Sequence, residues 1–224
     1  MITTKVEYNK RKHEVSRYLD AVGYLDKGEC KIVCTDILGN DSSMSIDDEL
    51  SKILKANCFI LLYNLIESTI VNSIKAITNS IESEKLTFEQ FSDEIKRLWI
   101  RQEAKTIKDI SQTVNIITKL TDSILKKEFI AITVGSVHIS GNIDAQEIRK
   151  IAKQIGWERT KDGRDLATVK NKRNSLAHGE FTFSDIGKDY TIRELIEIKN
   201  KTIQYLDDVL QKVEEYVNSK KYKK

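Results

Sequence analysis

Apolar residues recur at steps of three, four and seven along most of this chain. Near its C-terminal end Ile192, Ile196, Ile203, Leu206, Leu210, Val213 and Val217 fall on one stripe, the period of an amphipathic helix. Thr191 followed by Glu194 has the spacing of a capping box and sets the helix start there. A second stripe runs through Ile107, Ile110, Val114, Ile117, Leu120 and Ile124. A third is shorter, Ile148, Ile151, Ala152 and Ile155, with Asp144 as its expected N-cap. Thr87 and Gln90 mark another start, leading into Phe91, Ile95 and Leu98.

The segment from about Ile46 to Ile77 has a different character. Its middle, Cys58-Phe59-Ile60-Leu61-Leu62-Tyr63, is apolar on every face of a helix. Such a helix is expected to be buried on all sides, at the centre of the fold or in a subunit interface. Two stretches compete for strand structure: Phe129–Ile139, rich in β-branched residues and followed by the turn-forming Ser140-Gly141-Asn142, and the ambiguous Lys31–Leu38. At most a small β-hairpin is expected. The fold class is therefore all-α or nearly so. With no repeat, no low-complexity segment and no linker, the chain reads as a single domain over residues 1–224, with its core at about 46–217 and a frayed basic tail at 218–224.

Composition supports this. The 224 residues include no proline and nine glycines, against roughly 11 and 16 for average usage. Turn-rich sandwiches and barrels need both residues, so an all-β fold is disfavoured. Uninterrupted apolar runs stop far short of about 18 residues, and the first residues lack a signal-peptide core. The expected location is the cytoplasm, with no membrane partner. Three cysteines, Cys30, Cys34 and Cys58, make no disulfide framework and are expected as buried reduced thiols. The three histidines have no zinc-site spacing to them, so no metal and no cofactor is expected. His13 and His138 have no chemical context and are assigned to surface or loop. Walker, HExxH, EF-hand and GxSxG motifs are missing, which sets aside the common nucleotide hydrolases, metalloproteases and serine hydrolases.

Net charge is only +3, but it is unevenly distributed. Between Arg149 and Arg173 nine basic side chains face three acidic ones, a candidate phosphate-binding surface. Trp99, among Lys96, Arg97 and Arg101, has the composition of a base-stacking platform, although a covered core tryptophan is the simpler assignment.

Candidate chemistry lies at the end of that basic run. On a helix, Leu166, Val169, Leu176 and Ala177 form an apolar stripe, with Arg173 in its middle. A permanent charge there needs a partner or a task. Glu67 is the complementary anomaly in the stripe Ile53, Ile60, Tyr63, Ile70 and Ile74, so a buried Glu67–Arg173 ion pair is expected. His178 follows Arg173 by five residues and precedes Gly179, a helix terminator. Asn174 lies one turn before His178, within hydrogen-bonding reach. Arg, Asn and a titratable histidine thus cluster over about 7.5 Å of helix rise. The set suits metal-free RNA cleavage: His178 moves a proton to or from a ribose oxygen, and Arg173 stabilises charge on the phosphoryl oxygens. Lys170, Lys172 and Arg164 are the adjoining candidates for RNA contacts. Five residues place Arg173 and His178 about 140° apart on a straight helix. A symmetric pair of such helices meets one phosphate more easily than a single copy.

The run Val169–Gly179, with Arg173, Asn174 and His178, resembles the R-x4-6-H motif of the HEPN superfamily at its shortest spacing. Leu62–Glu67 resembles the first helix of that family's helical core. Ser140–Asp144, the motif and the long final helix resemble a toxin-like bacterial branch. The resemblance implies a homodimer joined through the motif helices and a composite cleft. It further implies an endoribonuclease that leaves a 2′,3′-cyclic phosphate without metal, acting as a toxin or antiphage effector. RNA, in some members tRNA, would be the substrate, and an antitoxin or sensor protein a further partner. Arg173 and His178 match the catalytic positions, Asn174 the polar position, and Glu67 and Asn64 are supporting residues. Toxins silenced by nucleotide addition carry a tyrosine two residues after the motif histidine, where this chain has Glu180. The alternative is a non-catalytic HEPN-type module that binds RNA, a nucleotide or a protein; a purely structural helical subunit is a third.

Overall fold

A computed structural model describes residues 1–25, 27–28, 30–105, 107–137, 139 and 141–224. Among these the elements run α1 (Ile2–Leu25), β1 (Cys30–Thr35), β2 (Asp41–Ile46), α2 (Asp48–Ser83), α3 (Asp93–Ala104), α4 (Ile110–Leu125), α5 (Ala145–Ile155), α6 (Arg164–Ala177), α7 (Phe183–Gly187) and α8 (Ile192–Asn218). The protein is helical, with one antiparallel hairpin registering Cys30 on Ile46 and Thr35 on Asp41. The expected helical class is borne out.

The chain divides into two compact units. One comprises Val6–Ile66 and Gly163–Gln204, the other Met1–Lys5, Glu67–Asp162 and Tyr205–Lys224. The first unit holds most of α1, the hairpin, the first part of α2, α6, α7 and the start of α8. The apolar middle of α2 is its core: Cys58, Phe59, Leu62 and Tyr63 are fully buried, whereas Ile60 and Leu61 are half-buried, so the helix is not covered on every face as expected. α1, to which the sequence pattern assigned no element, buries Tyr8, Val15, Leu19 and Val22. Its apolar residues come about one per turn, which makes a weak periodic signal. The hydroxyl of Tyr18 ties it to α2 by donating to the Leu54 carbonyl at 2.9 Å. Gly187 of α7 sits so close to α2 that a Cβ would lie 1.8 Å from the Lys52 carbonyl oxygen. The hairpin of β1 and β2 stands exposed along its length, so Cys34 is exposed, Cys30 half-buried and only Cys58 buried. The expectation of three buried thiols is corrected: a two-stranded ribbon has no second layer to cover it. Burial pushes the Cys58 thiol up to about 12.

The second unit holds α3, α4, α5 and the remainders of α2 and α8. Asp144 caps α5 as expected, accepting from the Glu147 amide at 3.0 Å, and Ile148, Ile151, Ala152 and Ile155 are buried. Thr87 and Gln90 form a capping box on a single 3-10 turn, Phe88–Gln90. The helix proper starts later, where the Ser92 side chain accepts from the Ile95 amide. Trp99 is buried against Phe88, ring centroids 5.4 Å apart, and so is a core residue. The candidate strand at Phe129–Ile139 is reduced, among its described residues, to one isolated antiparallel bridge between Phe129 and Thr87. The Gln102 side chain instead bonds the Ala131 carbonyl and the Thr133 amide at 3.2 and 3.0 Å, supplying what a partner strand would have. His138 and Ser140 lie outside the described residues, and His13 is exposed on α1.

Packing departs from the sequence pattern at three places. The stripe of α4 faces outward: Ile110 is 84 % exposed, and Val114 and Ile117 are exposed too. α8 buries Leu195, Ile198, Tyr205 and Val209 beside the expected Leu206, Leu210 and Val213, while Ile196 is exposed. The C-terminal residues are docked rather than frayed. Tyr222 is fully buried and its hydroxyl bonds Ser80 Oγ at 3.1 Å. Lys220 and Lys223 both pair with Glu84, which holds that carboxyl below its usual range. One further property of α2 concerns its composition. It is long and apolar enough to span a membrane, and half of that 18-residue window is buried inside the protein.

Candidate functional site

α6 presents the candidate residues, and local chemistry defines its end. The Gly179 amide donates to the Leu176 carbonyl and the Glu180 amide to that of Ser175. With Gly179 at φ +69°, this is a Schellman closure. A residue with a Cβ is disfavoured there, so the glycine stops the helix just past His178. His178 is thereby the C-cap, its amide 2.9 Å from the Asn174 carbonyl and its side chain exposed.

Leu166, Val169 and Leu176 anchor α6 in the core, whereas Ala177 is exposed. Arg173 occupies the middle of that buried face as predicted, but its partner differs. Its guanidinium carbon lies 4.1 Å from the centroid of the Tyr63 ring, and Nη1 donates to Asn174 Oδ1 at 3.0 Å. The charge is met by an aromatic face and an amide oxygen rather than by an ion pair with Glu67. A cation over a ring needs no buried carboxylate and avoids desolvating a second charge. One of five N–H donors is used by Asn174. Stacking on a ring leaves the edges of the planar fork available to a phosphate.

The structure brings Arg173, Asn174 and Tyr63 together and sets His178 beyond them at the exposed helix end. The side chain of Asn174 is tied to Arg173, not delivered to His178 as the one-turn spacing suggested. Asn64 is exposed on α2, and Glu67 is half-buried in the other unit. Arg164 is the first residue of α6 and exposed, while Lys170 is half-buried. Lys172 is turned to Asp189, 3.8 Å away, and to the Tyr190 ring. Glu180 accepts from Ser175 Oγ at 2.9 Å. Tyr63 is the residue that sequence reasoning left out of the site. Its signal was an aromatic ring in the stripe of α2 that faces a charged position.

The family described as HEPN_MAE_28990-like HEPN matches residues 4–222, and the chain belongs to it. That span takes in α1, ahead of the 46–217 core expected from the sequence. No curated protein and no solved structure matches the chain.

Proposed function

We propose that this protein is a metal-independent endoribonuclease. His178 removes the proton of a ribose 2′-hydroxyl, and the 2′-oxygen attacks the adjacent phosphorus. The bond from phosphorus to the 5′-oxygen breaks, and the histidine, now protonated, gives its proton to that oxygen. The products are a 2′,3′-cyclic phosphate and a 5′-hydroxyl. Arg173 stabilises the charge that builds on the phosphoryl oxygens, and Asn174 holds the arginine in place. Two copies of α6, related by a dimer axis, supply an arginine and a histidine from opposite sides of one phosphate, since the two are far apart around a single helix. A cytoplasmic toxin or antiphage effector, silenced by a partner protein, is the cellular role we propose.

One observation carries this reading: Arg173 rests on Tyr63 with one of its five N–H donors given to Asn174, while His178 stands exposed at the end of the same helix. Family membership makes ribonuclease chemistry the natural class for such a pair. The test is cleavage of total RNA in EDTA by the wild type, Arg173→Ala and His178→Ala, with the product ends analysed. Wild-type cleavage to 2′,3′-cyclic ends, reduced at least about 100-fold in each variant, is expected. Salt-sensitive RNA binding without cleavage would favour the non-catalytic binding module. Equal cleavage by all three would place the chemistry elsewhere.

A further inference from the structure

We propose that the cleft between α3 and α5 is a second anion site, which takes adjacent phosphates of a single-stranded RNA backbone. It lies wholly within one unit and encloses about 370 Å³, lined by Glu94, Arg97, Arg101, Lys150, Lys153 and Gln154. Arg97 and Arg101 are four residues apart on α3, Lys150 and Lys153 three apart on α5, so each pair shares a helix face. The opposite faces bury Ile95 and Leu98 of α3 and Ile148, Ile151 and Ile155 of α5. With those apolar faces buried, both basic pairs line the same opening.

The charges there are largely unspent. Among the described residues Arg97, Arg101 and Lys153 have no carboxylate within ion-pair distance, and Lys150 meets only Glu147 of its own helix, at 3.2 Å, remaining 58 % exposed. Glu94 is the one carboxylate in the lining. Like charges held close without counterions raise the energy of the empty cleft, and a polyanion relieves it. Two arginine forks suit phosphate oxygens in particular.

The lining contains no aromatic ring, and Trp99 of α3 is turned into the core. The cleft therefore offers charge and no stacking surface, which selects for phosphates over bases. All four cations are exposed, which suits a strand passing across the opening better than an enclosed small molecule. The choice of RNA as the strand rests on the ribonuclease reading; the anion site rests on the cleft alone.

Binding of a fluorescent 12-nucleotide RNA is measured over a range of salt in protein carrying His178→Ala, with Arg97→Ala/Arg101→Ala added in a second protein and Glu94→Gln in a third. Circular dichroism and urea midpoints establish that each is folded. We expect the arginine substitutions to weaken binding about tenfold and to lower the salt slope by about 1.4, from two lost phosphate contacts at roughly 0.7 each. Glu94→Gln should tighten binding. Unchanged affinity and slope in the double-arginine protein overturn the proposal. So does tripolyphosphate or ATP binding that needs both arginines while RNA binding does not, which assigns the cleft to a nucleotide. The RNA cleavage test above is scored separately. Arginine-dependent binding without any cleavage leaves this site standing and the ribonuclease reading fallen, and the reverse pattern does the opposite.

Discussion

Arg173 illustrates how one side chain resolves two demands. An arginine in an apolar helix face must be desolvated, and in the ribonuclease proposed above it must also keep donors free. Lying 4.1 Å over the Tyr63 ring satisfies the first without spending the second. The ring face is therefore what positions the guanidinium, and an aromatic replacement should keep it. In the ribonuclease proposed above, Tyr63→Phe is expected to retain most of the RNA-cleaving activity. Tyr63→Leu should reduce kcat about tenfold, the equivalent of about 1.4 kcal/mol of lost positioning. Equal activity of Phe and Leu variants would show that the ring has no part in the site. The cysteines give a second check at this scale. Cys58 is buried with its thiol pushed up to about 12, whereas Cys34 is exposed on the ribbon. Iodoacetamide at pH 8 should modify Cys34 and spare Cys58 until the protein is unfolded, as peptide mass spectrometry would reveal.

Among the elements, α7 is the smallest and one of the most constrained. Its capping box, with Thr182 Oγ1 accepting from the Asp185 amide at 3.1 Å, forms the turn, but Gly187 sets its distance to α2. A Cβ there meets backbone rather than a flexible side chain, so the neighbour has little room to yield. Gly187→Ala should lower stability by about 1–3 kcal/mol, read as a shifted urea midpoint with an unchanged slope. A midpoint equal to wild type would mean that α7 moves freely on α2. α4 shows the opposite situation. Its periodic stripe is strong enough to predict a helix, and the helix is there, yet Ile110, Val114 and Ile117 remain exposed. Periodicity reports that one face differs from the other; it carries no information about what lies opposite.

For the whole molecule, burial of ionisable groups sets a direction for stability against pH. Tyr18 and Tyr205 are each pushed up to about 12 by burial, and Cys58 likewise. The unfolded chain ionises these groups near 9–10, while the fold holds them neutral. Their contribution is thus fully present below about pH 9 and is drained as pH rises toward 12. The urea midpoint should fall between pH 8 and pH 10.5, and a midpoint that rises over that range would contradict the buried placement of these side chains. The docked C-terminus belongs to this scale as well. A run of four lysines around one tyrosine looks like solvated tail when only neighbours in sequence are considered. Glu84 at the end of α2 gives Lys220 and Lys223 a partner, and Ser80 gives one to the Tyr222 hydroxyl.

Local rules determined what the sequence could determine alone. The capping boxes at Thr191 and Thr87, the Asp144 cap and the Gly179 stop involve groups within a few residues of one another, so their hydrogen bonds were legible before any folding. The apolar middle of α2 likewise announces a core helix, though not that Ile60 and Leu61 stay half-buried, and the spacing of Arg173 and His178 is a property of the chain. Tertiary structure decided the rest. It chose Tyr63 over Glu67 as the partner of Arg173, turned the stripe of α4 outward, and let Gln102 satisfy a segment that the pattern offered as a strand. It also drew the basic pairs of α3 and α5 around one cleft. The physical reason is common to all four. A side chain's energy depends on which groups face it across space, and elements distant in sequence supply those groups only once they pack.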